Sequence, residues 1–298
     1  MVDFTLRQLE YFVAAVETGS VTAAARRCHA SQGAASMAIA QLEKAVGARL
    51  LVRNGSRAVV PTPAGRDFLG PARSLLERAE EARDAVSESL EELRGTLQIG
   101  VGQTLSPRLV PGIVAHFTEH HPRLALHLSE TSPPELEDAV LGGRLDVALL
   151  YRQQAGSIAL AVTELAPVRL HVMLPADHRL AGEAGVHLAD VVGEPAILLD
   201  IPPTVESVSA IVESVGLRLD VRWRSANMDT IRSLVAAGLG YSFANSIPAT
   251  GAAFSGGSVV YRPVADDIPQ NSIVAVTLPG RVPRRVRAVI DLVRGAEG

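Results

Sequence analysis

Residues 20–46 read SVTAAARRCHASQGAASMAIAQLEKAV, and this stretch decides the fold of the chain's N-terminal part. Ser20 is placed to cap a short helix over Val21–Cys28, whose buried side is made of small residues. His29 and Ala30 make a turn, and Ser31 caps a second helix. On that second helix Ala35, Ile39, Leu42 and Val46 fall at i, i+4, i+7 and i+11, a single apolar stripe. The opposite face carries Gln32, Gly33, Ser36, Met37, Ala40 and Gln41, small or polar groups that leave room for a partner. An alanine-rich helix, a short turn and a capped second helix form the helix-turn-helix pattern that enters a DNA major groove. Any α-hairpin produces the bare pattern, so the residues around it must decide.

At 298 residues the chain is long enough for two or three compact units, and 47% apolar residues with 20% charged ones fit a packed globular protein. The one cysteine, Cys28, excludes a disulfide framework within the chain. The opening MVDFTLRQLEYF is an amphipathic helix with acidic residues rather than a signal peptide. No apolar run approaches the ~20 residues of a membrane helix, so a cytoplasmic chain with no membrane role is expected. The net charge of -4 hides an asymmetry. Residues 1–66 hold eight Arg and Lys against four acids, which makes that segment +4 and the remainder -8. A small basic module on an acidic body is a plausible electrostatic footprint of DNA binding.

Ahead of the quoted stretch, a helix is predicted from about Thr5 to Glu17 with Leu6, Leu9, Phe12, Val13 and Val16 turned inward. After it, Gly47 stops the second helix. Leu50–Arg53, the turn Asn54-Gly55-Ser56 and Arg57–Val60 then read as a hairpin. Such a wing sets Arg53 and Arg57 beside phosphates, where they add affinity but little sequence information.

The run LRQLEYFVAAVETGSVTAAARRCHASQGAASMAIAQLEKAVGARLLVRN, followed by PTPAG, resembles the winged helix-turn-helix of LysR-type transcriptional regulators. The likeness covers Phe12, Gly19-Ser20, Ala24-Ala25, Ser31-Gln32, Leu42-Glu43, Gly47, Leu50, Thr62 and Ala64-Gly65. Two departures stand out. Gly33 occupies a position where the family usually has proline, and Met37 and Ala40 occupy positions often basic. The reading helix therefore lacks an Arg or Lys for bidentate guanine contacts. The expected DNA-binding residues are Ser31, Gln32, Ala34, Ser36, Met37, Arg53 and Arg57, with greater dependence on wing contacts and DNA shape.

From Arg66 to Arg94 one long helix is predicted, interrupted early by Gly70-Pro71. Spacings of three and four connect Leu69, Ala72, Leu76, Ala79, Arg83, Val86, Leu90 and Leu93, seven of them apolar. That is a coiled-coil seam between two modules, and it predicts pairing with a second copy. The resemblance implies the same: the linker helix pairs two heads, and family members commonly assemble as tetramers.

Beyond Gly95, strands and helices alternate: Thr96–Val101, a helix between Pro107 and Thr118, Leu124–Ser129, Pro134–Leu141, Asp146–Tyr151. The pattern resumes with Val168–Leu174, Ala196–Leu199, Val205–Val215, Val221–Arg224 and Met228–Ala237. It closes with Tyr241–Ala244, Ser258–Arg262, Ile273–Thr277 and a terminal helix after Pro283. Such alternation indicates a parallel sheet covered by helices. ELEDAVLGGRLDVALL, MLPADHRLA and MDTIRSLVAAGLGYSF resemble the family's effector domain, which implies two Rossmann-like subdomains similar to periplasmic solute-binding proteins. The expected organisation is a head over 1–65, a linker over 66–94 and a body over 95–298. Within the body, subdomain I spans about 95–163 plus 262–298, and subdomain II about 164–261.

Open α/β sheets bind ligands at the carboxyl ends of their strands. The hydroxyls, amides and prolines there are Gln103, Thr104, Ser106, Thr131, Pro202, Thr204, Asn227 and Asn245, the expected effector-binding residues. Leu105, Leu150, Tyr151, Val205 and Phe243 are expected to supply apolar surface. Helix N-termini present unpaired N–H donors to an anion, and Gly102–Ser106, Pro202–Thr204 and Asn227 include no Asp or Glu, although Glu130, Asp200 and Glu206 lie close by in sequence, so a small organic acid is predicted.

Other patterns weaken on inspection. His116 and His120 stand at i and i+4, but the helix end and Pro122 favour a solvated face over a metal site. HExxH, P-loop and GxSxG motifs are missing, and Gly100-Val101-Gly102 continues Gln-Thr-Leu, which breaks a dinucleotide fingerprint. Cys28 sits among Arg26, Arg27 and His29, yet its place on the alanine-rich helix favours packing over reactivity. Arg281, Arg284, Arg285 and Arg287 flank an amphipathic terminal helix and read as its solvated face. The expectation is a non-enzymatic, sequence-specific DNA-binding regulator without cofactor or metal. Two heads read an inverted repeat in double-stranded DNA, a small molecule binds between the subdomains, and RNA polymerase is a further partner. The alternative is a small-molecule-binding protein or enzyme whose helical N-terminus serves only association.

Overall fold

The computed structural model describes residues 3–54, 58–86 and 93–297. Its head begins with α1 (Leu6–Thr18), entered through a capping box between Thr5 and Gln8 and ended by Gly19 in the left-handed region at φ 62°. Helix α2 (Val21–Arg27) starts under the Ser20 hydroxyl, which accepts from the Ala23 amide. His29, at φ 52°, turns the chain into α3 (Gln32–Val46). Alanines 24, 25 and 35 are buried where the three helices meet, and their small side chains allow close approach around Leu9, Phe12, Ile39 and Leu42. Strands β1 (Leu51–Asn54) and β2 (Ala58–Pro61) pair antiparallel as the predicted wing, with Arg53 opposite Val59. Gly55, Ser56 and Arg57 lie outside the described residues.

Helix α4 (Pro63–Val86) starts three residues earlier than predicted and runs through Pro71. The carbonyl that Pro71 leaves without a donor belongs to Asp67; both residues are exposed, so water can take the place of the lost bond. Thr62 anchors the start: its hydroxyl donates to the Arg49 carbonyl at 2.7 Å and accepts from the Gly65 amide at 2.9 Å. Gly65 must be glycine here, because a Cβ would stand 2.0 Å from the Leu50 carbonyl oxygen.

The predicted seam is only partly available to a second copy. Leu69 and Ala72 are buried in the head core, Leu76 packs against it, and Leu93 is buried in the body. Leu90 lies outside the described residues. The face that α4 leaves open carries Leu75, 41% exposed.

The body contains two subdomains. The first is a five-stranded sheet in the order β4-β3-β5-β12-β6, built from β3 (Gly95–Gly102), β4 (Leu124–Thr131), β5 (Val147–Tyr151), β6 (Ala161–Val168) and β12 (Asn271–Thr277). Strand β5 is buried along its whole length. Val147, Leu149 and Tyr151 face the layer of α5 (Ser106–His120) and α9 (Arg284–Glu297), while Ala148 and Leu150 face α6 (Pro133–Leu141). The second subdomain places β7 (His171–Pro175) between β10 (Ser242–Ala244) and β11 (Val259–Pro263), all antiparallel. A parallel pair, β8 (Pro195–Leu199) and β9 (Asp220–Ser225), joins it through the bridge of Ala196 to Tyr241. Helices α7 (Thr204–Ser214) and α8 (Met228–Ala236) follow β8 and β9.

Two expectations are corrected. The sheets are mixed rather than parallel: β6 carries the chain out of the first subdomain and β12 brings it back, so they run in opposite directions and pair antiparallel. And 164–168 belong to the first sheet, because Ala161–Val168 is a strand of its own and Val168–Leu174 is not one strand but the end of β6 and most of β7. Strand β6 is half-buried and lies at the sheet edge, where Pro167 is tolerated and the hydrophobic signal is weak. Among the described residues, no helix is long and apolar enough to cross a membrane.

Candidate functional site

Two surfaces carry the chemistry. On the head, the Ser31 hydroxyl accepts from the Ala34 amide at 3.2 Å and is spent as the cap of α3. Gln32, Ala34, Ser36 and Met37 are all exposed on one side of that helix, Met37 to 62%, while Ala35, Ile39 and Leu42 are buried on the other. In the last turn of α3, one carboxylate oxygen of Glu43 accepts the Leu50 amide at 2.8 Å and the Leu51 amide at 3.0 Å. The root of the wing is thereby fixed to the helix. Cys28 packs against the head core, and burial pushes its thiol pKa up, which keeps it from being a reactive thiolate.

On the body, a cavity of about 1140 Å³ opens between the subdomains. Of the eight residues expected there, Gln103, Thr104, Thr204, Asn227 and Asn245 form part of its wall. Asn227 is also the cap of α8, accepting the amides of Asp229 and Thr230 at 2.8 and 3.1 Å. The Gln154 side-chain amide donates to the Thr204 hydroxyl at 3.4 Å, one hydrogen bond across the cleft.

Ser106, Thr131 and Pro202 are not in the wall. Ser106 is buried as the first residue of α5. Thr131 ends β4, the outer strand of its sheet, and its hydroxyl donates to Glu135. That bond and those from Ser132 hold the Glu135 carboxyl below its ordinary pKa. Pro202 is exposed, and its neighbours Ile201 and Thr204 line the cleft instead. Tyr151 and Phe243 supply apolar surface as expected, whereas Leu105 and Leu150 are fully buried in the sheet-helix layers.

The sequence reading missed the cations. Arg108, Arg169, His171 and Arg232 all stand in the wall, against one carboxylate, Asp229, which pairs with Arg232. Burial, the largest influence, pushes the His171 imidazole below its ordinary pKa, against a hydrogen bond to the Arg169 carbonyl at 2.8 Å. The helices α5 and α7 begin at this cleft without a side-chain cap; the Thr204 amide donates to the Ile201 carbonyl at 2.7 Å and the Arg108 amide to the Leu105 carbonyl at 3.1 Å. Three guanidinium groups and two uncapped helix N-termini suit an anionic ligand.

Residues 6–66 match the family model for a bacterial regulatory helix-turn-helix protein of the lysR family, and residues 90–297 match that for a LysR substrate binding domain. The chain belongs to the LysR family of transcriptional regulators. The Hca operon transcriptional activator HcaR of Escherichia coli K12 is 32% identical over 97% of this chain and 97% of its own length. The DNA-binding transcriptional dual regulator OxyR of the same organism is 30% identical over 92% of this chain and 90% of its own. Among solved structures, a putative LysR-family regulator from Pseudomonas aeruginosa superposes with a TM-score of 0.66 at 31% identity, covering 99% of this chain and 100% of that one. As a LysR-family member the chain is a DNA-binding transcriptional regulator with an effector-binding domain, not an enzyme. The reading of the N-terminus as a mere association segment is thereby removed. Among the described residues, no group of three His, Cys, Asp or Glu side chains could hold a metal ion; His116 and His120 stack on one another at 4.5 Å instead.

Proposed function

We propose that the protein senses a small organic acid in the interdomain cleft and couples its binding to the spacing of two DNA-reading heads. The observation that carries the reading is the cleft wall, which Arg108, Arg169 and Arg232 share with the starts of α5 and α7. One carboxylate is held at a helix N-terminus beside Thr104, and Tyr151, Leu199 and Phe243 cover a short apolar body. Binding changes the angle between subdomains, and contacts between bodies pass the change to the heads. The heads pair through the open face of α4 and read an inverted repeat with Gln32, Ser36 and Met37, helped by phosphate contacts from Arg53 and Arg57. Two dimers assemble into a tetramer, and RNA polymerase meets the DNA-bound form in the cytoplasm. A peroxide-responsive thiol switch, which relatives named hydrogen peroxide-inducible activators bring to mind, finds no cysteine in residues 95–298.

The test is titration of the full chain with carboxylates and their amides, read by thermal unfolding, since a ligand stabilises the folded state by mass action. Thr104→Val is expected to weaken a carboxylate by about 1–3 kcal/mol, the cost of deleting a hydrogen bond to a charged group. A ligand that binds equally after amidation, or a cationic effector, would defeat the reading.

A further inference from the structure

A second cavity of about 410 Å³ adjoins the main cleft and shares Pro167–Leu170 and Asn245 with it as a common wall. Of the side-chain amides in its wall, those of Asn271 and Asn245 come from opposite subdomains. Asn271 opens β12 and is 6% exposed. Its Oδ1 accepts the Gln153 amide at 3.2 Å and the Ser272 amide at 3.0 Å. Those two donors fix the orientation of the group, because a flipped amide would set NH2 against both. The Nδ2 that results is buried and has no partner. Asn245 follows β10 in the other subdomain, and its Oδ1 is likewise buried without a partner. One chamber thus offers an orphaned donor from the first subdomain and an orphaned acceptor from the second. Unpaired buried polar atoms are costly, and native chains keep few of them without a reason.

We propose that this chamber receives the head group of the effector, and that the head group sets a donor beside its acceptor: a carboxylate oxygen on Asn271 Nδ2 and a neighbouring hydroxyl or ammonium on Asn245 Oδ1. The inference rests on the organic-acid reading above, sets the carboxylate on Asn271 in place of Thr104, and narrows the effector to hydroxy and amino acids. Arg169, in the shared wall, adds a cation for the carboxylate. Of the two acids in the chamber wall, Asp266 is engaged by the Leu188 amide at 2.7 Å, while Asp267 is exposed and open to an ammonium. A molecule that satisfies both amides ties the two subdomains together at the point where the chain crosses between them. A plain carboxylate satisfies only one.

The experiment compares propionate, lactate and alanine on the full chain at matched ionic strength, read as the concentration dependence of the unfolding temperature. Lactate or alanine is expected to stabilise the protein at concentrations at least tenfold below propionate. Asn271→Asp keeps an oxygen for Gln153 and Ser272 but replaces the donor with an acceptor, and is expected to weaken that response tenfold or more. Asn245→Leu, which removes the acceptor, is expected to bring lactate or alanine down to the level of propionate, and it keeps the test open should Asn271→Asp not fold. Alanine favoured over lactate identifies the donor as an ammonium; the reverse identifies a hydroxyl. Equal responses to all three, an unchanged response in both variants, or stabilisation by propionate alone overturns the inference, the chamber then holding only water. If Thr104→Val abolishes binding and Asn271→Asp does not, the main cleft holds the whole acid: the sensor reading stands and this one falls. No response to any carboxylate defeats both.

Discussion

Glu43, in the last turn of the reading helix, supports the root of the wing, and its removal gives a prediction with a magnitude. One carboxylate oxygen takes two backbone amides, Leu50 at 2.8 Å and Leu51 at 3.0 Å. Hydrogen bonds to a charged group contribute about 1.5–3 kcal/mol each, which sets an upper bound near ~6 kcal/mol for Glu43→Ala. Both amides are part-buried rather than sealed, so water takes over part of the role, and roughly 2–3 kcal/mol is expected. Glu43→Gln keeps a carbonyl acceptor and loses only the charge, for about 1 kcal/mol. The assay exploits the single tryptophan, Trp223, which lies in β9 of the body. In denaturant titrations its fluorescence follows the body, while far-UV circular dichroism also registers the head. Glu43→Ala is expected to bring forward the circular-dichroism transition and leave the Trp223 transition in place. DNA affinity falls for specific and random sequences together, because the wing loses its position while the reading face of α3 stays intact. Coincident circular-dichroism curves for the variant and the parent would refute the argument.

The remaining predictions concern recognition, pH and assembly. Arg53→Ala with Arg57→Ala is expected to weaken binding to specific and random DNA alike and to reduce the salt slope by roughly 2; an unchanged slope removes them as phosphate contacts. Gln32→Ala should instead lower the preference for the correct operator by about 1–3 kcal/mol while random-DNA affinity holds, measured by competition. Burial keeps His171 below its ordinary 6.5. The stability this neutral imidazole contributes is therefore complete above the unfolded value and is lost as pH falls through the lower folded one. An anion beside it favours the imidazolium, so carboxylate affinity should rise as the pH is lowered through that range, and His171→Asn should flatten the profile; calorimetry at several pH values decides. Leu75→Glu places a charge from each copy on the open side of α4 and should abolish tight binding to a full inverted repeat while weak half-site binding persists. Full-site affinity retained by a monomer would end the linker proposal.

What was legible in the sequence was what local chemistry determines. Ser20 and Ser31 cap helices, and Gly19 and Gly47 end them in left-handed geometry; each works through neighbours a few residues away. The exposed row from Gln32 to Met37 follows from helical periodicity alone. The linker stripe was read correctly as apolar but assigned to one partner, whereas Leu69 and Ala72 belong to the head and Leu93 to the body. Periodicity shows that a face is buried and not against what. The cleft was legible by half for a similar reason. Strand ends mark where a ligand can sit, but whether Thr104 or Thr131 faces it depends on which strand is central and which is at the edge. Arg169 and His171 escaped notice because they lie in a crossing whose place is set only when β6 is found to pair with β12.

That crossing also gives the proposed coupling of cleft to head a structural path. Residues 169–170 carry the chain into the second subdomain and 264–270 carry it back, so the two sheets are joined by two short passages side by side. Across the gap the Gln154 side-chain amide also donates to the Thr204 hydroxyl at 3.4 Å. The first subdomain is in turn held to the head. Arg73 on α4 donates to the Gly143 carbonyl in the loop after α6, and its other nitrogen meets Glu17 on α1 at 2.8 Å. Gly143 approaches so closely that a Cβ there would stand 2.8 Å from the Gly70 Cα. A contact of two glycines transmits displacement instead of absorbing it, since no side chain can change rotamer to fill the gap. In the proposed mechanism, a shift of the first subdomain would be passed through the carbonyl that Arg73 holds to the end of α1.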